Sequence, residues 1–373
     1  NFAHMLNDNY LQKMAGNILA ELGDGEEINA MDPRSFQNLM EDAAWQMKAN
    51  IQRNMGLRPA DKEESRNPRV KDLLLEETKE NLLEMAADLG LSGYKSLHKD
   101  ALAEKIRSEI LKPEVMKKRM LLLSDGEIAA FEKAAAKEKG FYPDRKEMEN
   151  LEKLYDLAYV VIYRDDYAQV PREAAESFRS INTPAYQEER RGTFWLYHCL
   201  MYAEMLYGVA PVEIICRMLK KCLGHKVERE GLEKLWSNIP DELNSCVLQD
   251  GKVICKEILR ENLYLKIEEL QGKKKFYIPG PDEIVEYTEN GYPVSDSNYY
   301  KLKLFLLEKT NIAMDKIEEY MALVWSHISM GQSLSDILDM FEEEGIQFSS
   351  DDDLQEFAPL MMDVNNNTRM LIH

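Results

Sequence analysis

Apolar residues recur every three or four positions in one stretch of this chain after another, and most stretches stop on a glycine, a proline or a capping residue. That period is the mark of helices with one buried face, and it limits the chain to a mainly α fold. Leu11, Met14, Ile18 and Leu22 share one such face. A second stretch begins on a capping serine, Ser35, and closes on Gly56. Two short segments break the period. "YVVIYRDDYAQV" sets β-branched and aromatic residues on either side of a polar turn. "CVLQDGKVIC" places Asp250-Gly251 between apolar runs, which is the strongest hairpin signal in the chain.

The 373 residues suffice for two to three domains, and changes of pattern mark five segments. Residues 1–65 read as an N-terminal helical segment and linker, the linker being the polar, proline-bearing "RPADKEESRNPR". Residues 66–113 form a small helical module. Residues 114–193 open with a Ser124/Glu127 capping box and end with the first hairpin. Residues 194–293 run helix, helix, helix, two-stranded wing, the order of a winged helix-turn-helix, with Arg229–Asn238 as the third helix. The segment before it reads as a degenerate version of the same plan. Residues 294–373 are an acidic helical bundle with a second capping box at Ser333 and Asp336. The expected fold is mainly α: a multi-domain helical protein with one or two winged-helix-like units and a short β-hairpin wing.

In the module, "ETKENLLEMAADLGLSGYKSLHKDALAEKI" (77–106) joins two short helices through a glycine-punctuated turn. Leu82-Leu83, Ala86, Leu89-Gly90, Gly93-Tyr94 and Lys99-Asp100-x-Leu102 resemble the N-terminal helical domain of the transcription terminator Rho. They are also similar to SAP-type modules, and the resemblance is confined to this stretch. It implies contact with nucleic acid through basic residues at the turn and second helix, here Lys95, Lys99, Lys105 and Arg107, with Asp100 and Glu104 between them. No G-x-x-x-x-G-K-[ST] loop occurs, so the resemblance does not reach Rho's ATPase.

Charge narrows the partners. The net charge is −20, which repels phosphate backbones over most of the surface. The acidity is uneven. Residues 68–119 hold 11 basic and 10 acidic residues, and 208–285 hold 13 of each. Residues 311–363 hold one lysine against 13 acids, which suits a basic protein partner. RNA or DNA would therefore meet the middle of the chain. Besides the module, Lys220, Lys221 and Lys226 are placed to contact phosphates, and Lys117-Lys118-Arg119 and Lys273-Lys274-Lys275 are further basic clusters. The third helix of the winged segment carries Glu230 and Glu233 and follows Glu228, which disfavours its entry into a major groove.

Catalytic and metal-binding patterns are missing from the sequence. The five cysteines form no CxxC pair, and the six histidines include no i,i+4 pair and no HExxH. His198-Cys199 lies in an apolar helix and reads as core, as do Phe194, Trp195, Tyr197 and Tyr202. "SSDDDLQEF" lacks the spacing of a calcium loop and reads as an acid-rich helix start. No apolar stretch is long enough for a bilayer, and no signal peptide is visible. The expectation is a non-enzymatic bacterial protein of the cytoplasm, with no cofactor, no metal and no membrane contact. It would act as a regulator or adaptor touching nucleic acid through the Rho-like and winged segments. The alternative is a protein–protein scaffold that binds no nucleic acid.

Overall fold

A computed structural model describes residues 33–56, 67–273 and 275–369. The helix expected around Leu11–Leu22 and most of the linker lie outside these residues. The fold is mainly helical, with one two-stranded and one three-stranded antiparallel sheet among the described residues. The chain forms two compact units. Glu41–Phe194 is the body of the first, and the chain from Trp195 onward is the body of the second.

In the first unit, α1 (Pro33–Asn54) is followed by α2 (Val70–Glu76), α3 (Lys79–Asp88) and α4 (Lys99–Ile110). Thr78 caps α3 by accepting the Asn81 amide at 3.1 Å, and Gly90 and Gly93 take positive φ at the turn, as the sequence suggests. Then come α5 (Pro113–Arg119), α6 (Asp125–Ala135), α7 (Arg145–Asp156), the strands β1 (Val161–Ile162) and β2 (Ala168–Gln169), and α8 (Arg172–Ile181). Both boxes at the starts of α6 and α7 are formed, Ser124 with Glu127 and Asp144 with Glu147. One core serves α2 to α8: Leu82, Leu102 and Ile106 bury with Phe131, Leu151 and Phe178, while α1 has a small cluster of its own around Ala44. The stretch 77–106 therefore shares its interior with residues 114–181.

The chain passes out of the first unit within α9 (Pro184–Leu206). Arg190 on this helix is 1% exposed. It donates to the Leu123 carbonyl, to Asp125 and, at 2.7 Å, to Gln187. A buried guanidinium needs such acceptors, and here they hold the start of α6. Burial pushes the Asp125 carboxyl up, but hydrogen bonds and charge from Arg190 and Arg191 outweigh it, leaving it below the usual carboxylate range.

In the second unit, β3 (Val209–Pro211) leads into α10 (Val212–Leu223) and α11 (Arg229–Ser237). The hairpin β4 (Cys246–Gln249) and β5 (Lys252–Cys255) follows, and the sheet order is β3-β5-β4. Asp250 and Gly251 have φ of 51° and 76°, the doubly positive turn that matches the twist of the flanking strands. One sheet face packs Val209 and Ile254 against Ile267; the other gives Ala210, Cys246 and Val253 to the main core. Cys246 and Cys255 stand directly opposite each other across the hairpin. Two short helices, α12 (Lys256–Arg260) and α13 (Tyr264–Gln271), carry the chain to α14 (Pro281–Asn290).

The bundle of α15 (Ser297–Lys309), α16 (Ile317–Ser329), α17 (Leu334–Glu343) and α18 (Asp351–Asn367) completes this unit. Its core is continuous with that of α9, α10 and α11 and includes Phe341 and Phe357, whose rings lie 5.7 Å apart. The Ser333/Asp336 box starts α17, and Ser350 accepts the Asp353 amide at 3.3 Å at the start of α18, so the acidic run is a helix start.

The two hairpins share a path. Gly140 and Gly208 both take positive φ just before a residue that pairs with the second strand of a hairpin. In the first unit Phe141 pairs with Ala168 in β2; in the second, Val209 pairs with Ile254 in β5. A Cβ on Gly140 would lie 2.6 Å from the Tyr167 ring and 2.7 Å from the Ala168 carbonyl. At Gly93 it would meet nothing within 4 Å. Gly140→Ala should therefore weaken hydrogen-exchange protection across α6, α7 and the hairpin by about 2–4 kcal/mol, combining left-handed strain with overpacking. Gly93→Ala should cost only about 1 kcal/mol. A carboxyl held low contributes stability above its unfolded pKa and loses it as pH falls through the folded value. Asp125→Asn should accordingly flatten the loss of stability seen in acid below about pH 4, measured by thermal unfolding across a pH series.

Candidate nucleic-acid interface

The basic residues expected to meet phosphates fall into two groups by their surroundings. In the first unit the Lys99 ammonium donates to the Leu75 carbonyl at 2.7 Å. Leu75 lies in the last turn of α2, whose free carbonyls attract a cation, so Lys99 fixes α2 to α4. Lys105 donates to the Ser92 carbonyl in the turn. Arg107 binds Glu173 of α8 through Nε at 2.9 Å and through its terminal nitrogen, and reaches Glu104 at 2.9 Å. The hydrogen bonds to Glu173 raise the Arg107 pKa above its ordinary value, against the opposing effect of burial. The other oxygen of Glu173 accepts the Val70 amide at 2.8 Å. Asp100 is paired with Lys71 at 3.0 Å. Lys95 alone among the four is exposed, with no ion pair among the described residues.

The second unit repeats this division. Lys221 donates to the Ile278 carbonyl at 2.6 Å, and Lys226 pairs with Glu228 at 3.1 Å. Lys220 is exposed with no ion pair among the described residues. On α11, Arg229 is paired with Glu233 at 3.0 Å. Of the other basic clusters, Lys117 and Lys118 are exposed, whereas Arg119 donates to the Leu157 carbonyl at 2.9 Å. Lys273 and Lys275 are exposed, and Lys274 lies outside the described residues. Five of the seven singled-out cations are thus engaged by the protein itself. The two free ones, Lys95 and Lys220, stand one in each unit.

Beside Lys220 is a feature the sequence reading missed. An open groove of about 880 Å³ lies between α10, α11 and the β4–β5 turn. Val212, Cys216, Val227, Leu232 and Leu248 give it an apolar lining. Around them stand four cations and four acids: Arg217, Lys220, Lys226 and Arg229 against Glu213, Glu228, Glu233 and Asp250. The signal was present in sequence: Val212 and Cys216 extend the buried Ile215-Met218-Leu219 stripe sideways, and Leu248 sits 37% exposed on the hairpin.

Chemistry at the thiols is muted. Burial pushes the Cys246 thiol up to about 12, and burial together with Cys222 raises Cys199 well above its ordinary value. Both stay protonated at neutral pH and are poor nucleophiles. His198 is buried, with Nδ1 2.6 Å from the Thr288 hydroxyl, and Phe194 and Tyr202 are core residues, as the sequence suggests. Among the described residues no three His, Cys, Asp or Glu side chains gather as a metal site, and no helix is long and apolar enough to cross a membrane.

No protein-family model matches the chain, and no curated protein or solved structure matches it either.

Glu173→Ala leaves the Val70 amide without its acceptor and Arg107 with Glu104 alone. The expected cost is about 1.5–3 kcal/mol, seen as faster limited proteolysis around α2 and α8. Lys95→Ala should change the same readout by no more than about 0.5 kcal/mol.

Proposed function

We propose that this protein is a non-enzymatic interaction scaffold whose helical modules dock other proteins, and that it does not bind nucleic acid. The observation that supports this reading most directly is the engagement of Lys99, Lys105, Arg107 and Lys221 by the protein's own carbonyls and carboxylates, Lys226 having only an exposed pair with Glu228. Phosphate binding gains from releasing counterions at free cations, and a cation already held by a carboxylate offers little of that gain. The groove beside α10 and α11 adds to the argument. Its balanced charge is unlike a phosphate track, whereas an apolar floor within a polar rim is the anatomy of a protein interface.

The order helix, strand, helix, helix, hairpin and the strand order β3-β5-β4 support a winged-helix reading of the segment. Likewise, the paired helices around Gly90 and Gly93 support the likeness to the Rho N-terminal domain and SAP modules. In both, the shape serves here as a docking unit; fold alone does not carry the nucleic-acid function of its best-known users. The acid-rich bundle suits a basic partner.

Fluorescence anisotropy with labelled single-stranded RNA, single-stranded DNA and duplex DNA tests this. The expected result is no binding even at low salt. Binding that falls steeply with salt and is lost on Lys95→Glu or Lys220→Glu would overturn the scaffold reading in favour of a nucleic-acid adaptor.

A further inference from the structure

The C-terminal bundle exposes two methionines to an unusual degree, Met330 at 66% and Met362 at 63%. Met362 lies on a groove of about 130 Å³ formed with Met361, Ile328, Leu334 and Ile337. Met330 caps α16 two residues beyond Ile328. The volume is well below the roughly 300–1,000 Å³ of a small-molecule site. It has room for an anchoring side chain, with the exposed Met362 on its rim.

The same helices carry the densest negative charge in the protein. Asp339, Glu342 and Glu343 lie on α17, Glu344 caps it, and Glu356 and Asp363 lie on α18. None of these six is in an ion pair among the described residues. Lys316, the one base between 311 and 363, is paired with Glu319 at 2.8 Å. Elsewhere on α18, Asp353 lies 3.7 Å from Lys309 of α15, so acids outnumber their internal counter-charges on these helices.

We infer that this groove receives a cationic amphipathic helix of a partner protein, its apolar stripe on Met362 and Leu334 and its lysines or arginines among the acids of α17 and α18. Three properties favour that occupant. Helix-in-groove docking needs apolar anchors at spaced positions, which Leu334, Ile337 and Met362 supply. Thioether side chains are unbranched and polarisable and adapt to different apolar faces. The acid field draws a basic segment in and disfavours an acidic one. This inference rests on the scaffold reading and supplies the chemistry of one partner.

The test uses the full chain and a labelled synthetic leucine–lysine helix about five turns long, with its leucines on one face. A peptide of the same composition with the leucines scattered serves as control. Met362→Gln replaces an exposed side chain and should leave the fold intact, which circular dichroism checks. The expected result is salt-sensitive binding of the ordered peptide, weakened at least about tenfold by Met362→Gln and by scattering the leucines. Leu248→Gln, in the other groove, should leave it unchanged. Equal affinity for the two peptides, equal affinity of the Met362→Gln chain, or no binding at low salt would each overturn the inference. Nucleic-acid binding is scored separately. Failure of the peptide with nucleic acid also unbound removes this site and leaves the scaffold reading, whereas salt-steep nucleic-acid binding removes the scaffold reading itself.

Discussion

The carboxylate of Glu173 ties together three helices that sequence alone leaves apart. One oxygen takes the Val70 amide at the start of α2, and the other takes Arg107 of α4, while Glu173 itself begins α8. The first turn of α2 has amides with no partner inside the helix, and an acid supplied from elsewhere is a stable answer to them. The arginine that satisfies the remaining oxygen is thereby drawn inward. The small helical pair around Gly90 and Gly93 is therefore built into a larger core, and the basic face its sequence advertises is largely turned to internal use.

Much of the fold was legible because its signals are local. Thr78, the Ser124/Glu127 and Ser333/Asp336 boxes, Gly224 and the Asp250-Gly251 turn each act on backbone groups within a few residues, and each does in the structure what its position announces. Less local features were not read. Strand β3 is three residues long and exists because β5 offers it an edge. Helix α14 hides behind "YIPGPDE", where the prolines and glycine announce a turn; Pro281 in fact opens the helix, since the amide it lacks would be unpaired there anyway.

The basic residues show the same limit from the functional side. Lys99, Lys105 and Lys221 all end on main-chain carbonyls of Leu75, Ser92 and Ile278. Every residue has a carbonyl, so nothing in the sequence marks which ones will lie within reach of a lysine. Arg107 and Glu173 are 66 positions apart, and their pairing is decided by how α4 and α8 share a core. Basic residues near a turn are thus a weak guide to a binding face until their internal acceptors are known.

The parallel path of the two hairpins has a consequence for valency. Between the strand position and the hairpin, the first unit has one helix, α7, and the second has two, α10 and α11. The larger groove is walled by α10, α11 and the hairpin turn, so it depends on the additional helix. The shorter path at α7 lacks the second wall. Among the described residues this plan offers that groove once, so capturing a partner at several such points at once calls for several chains.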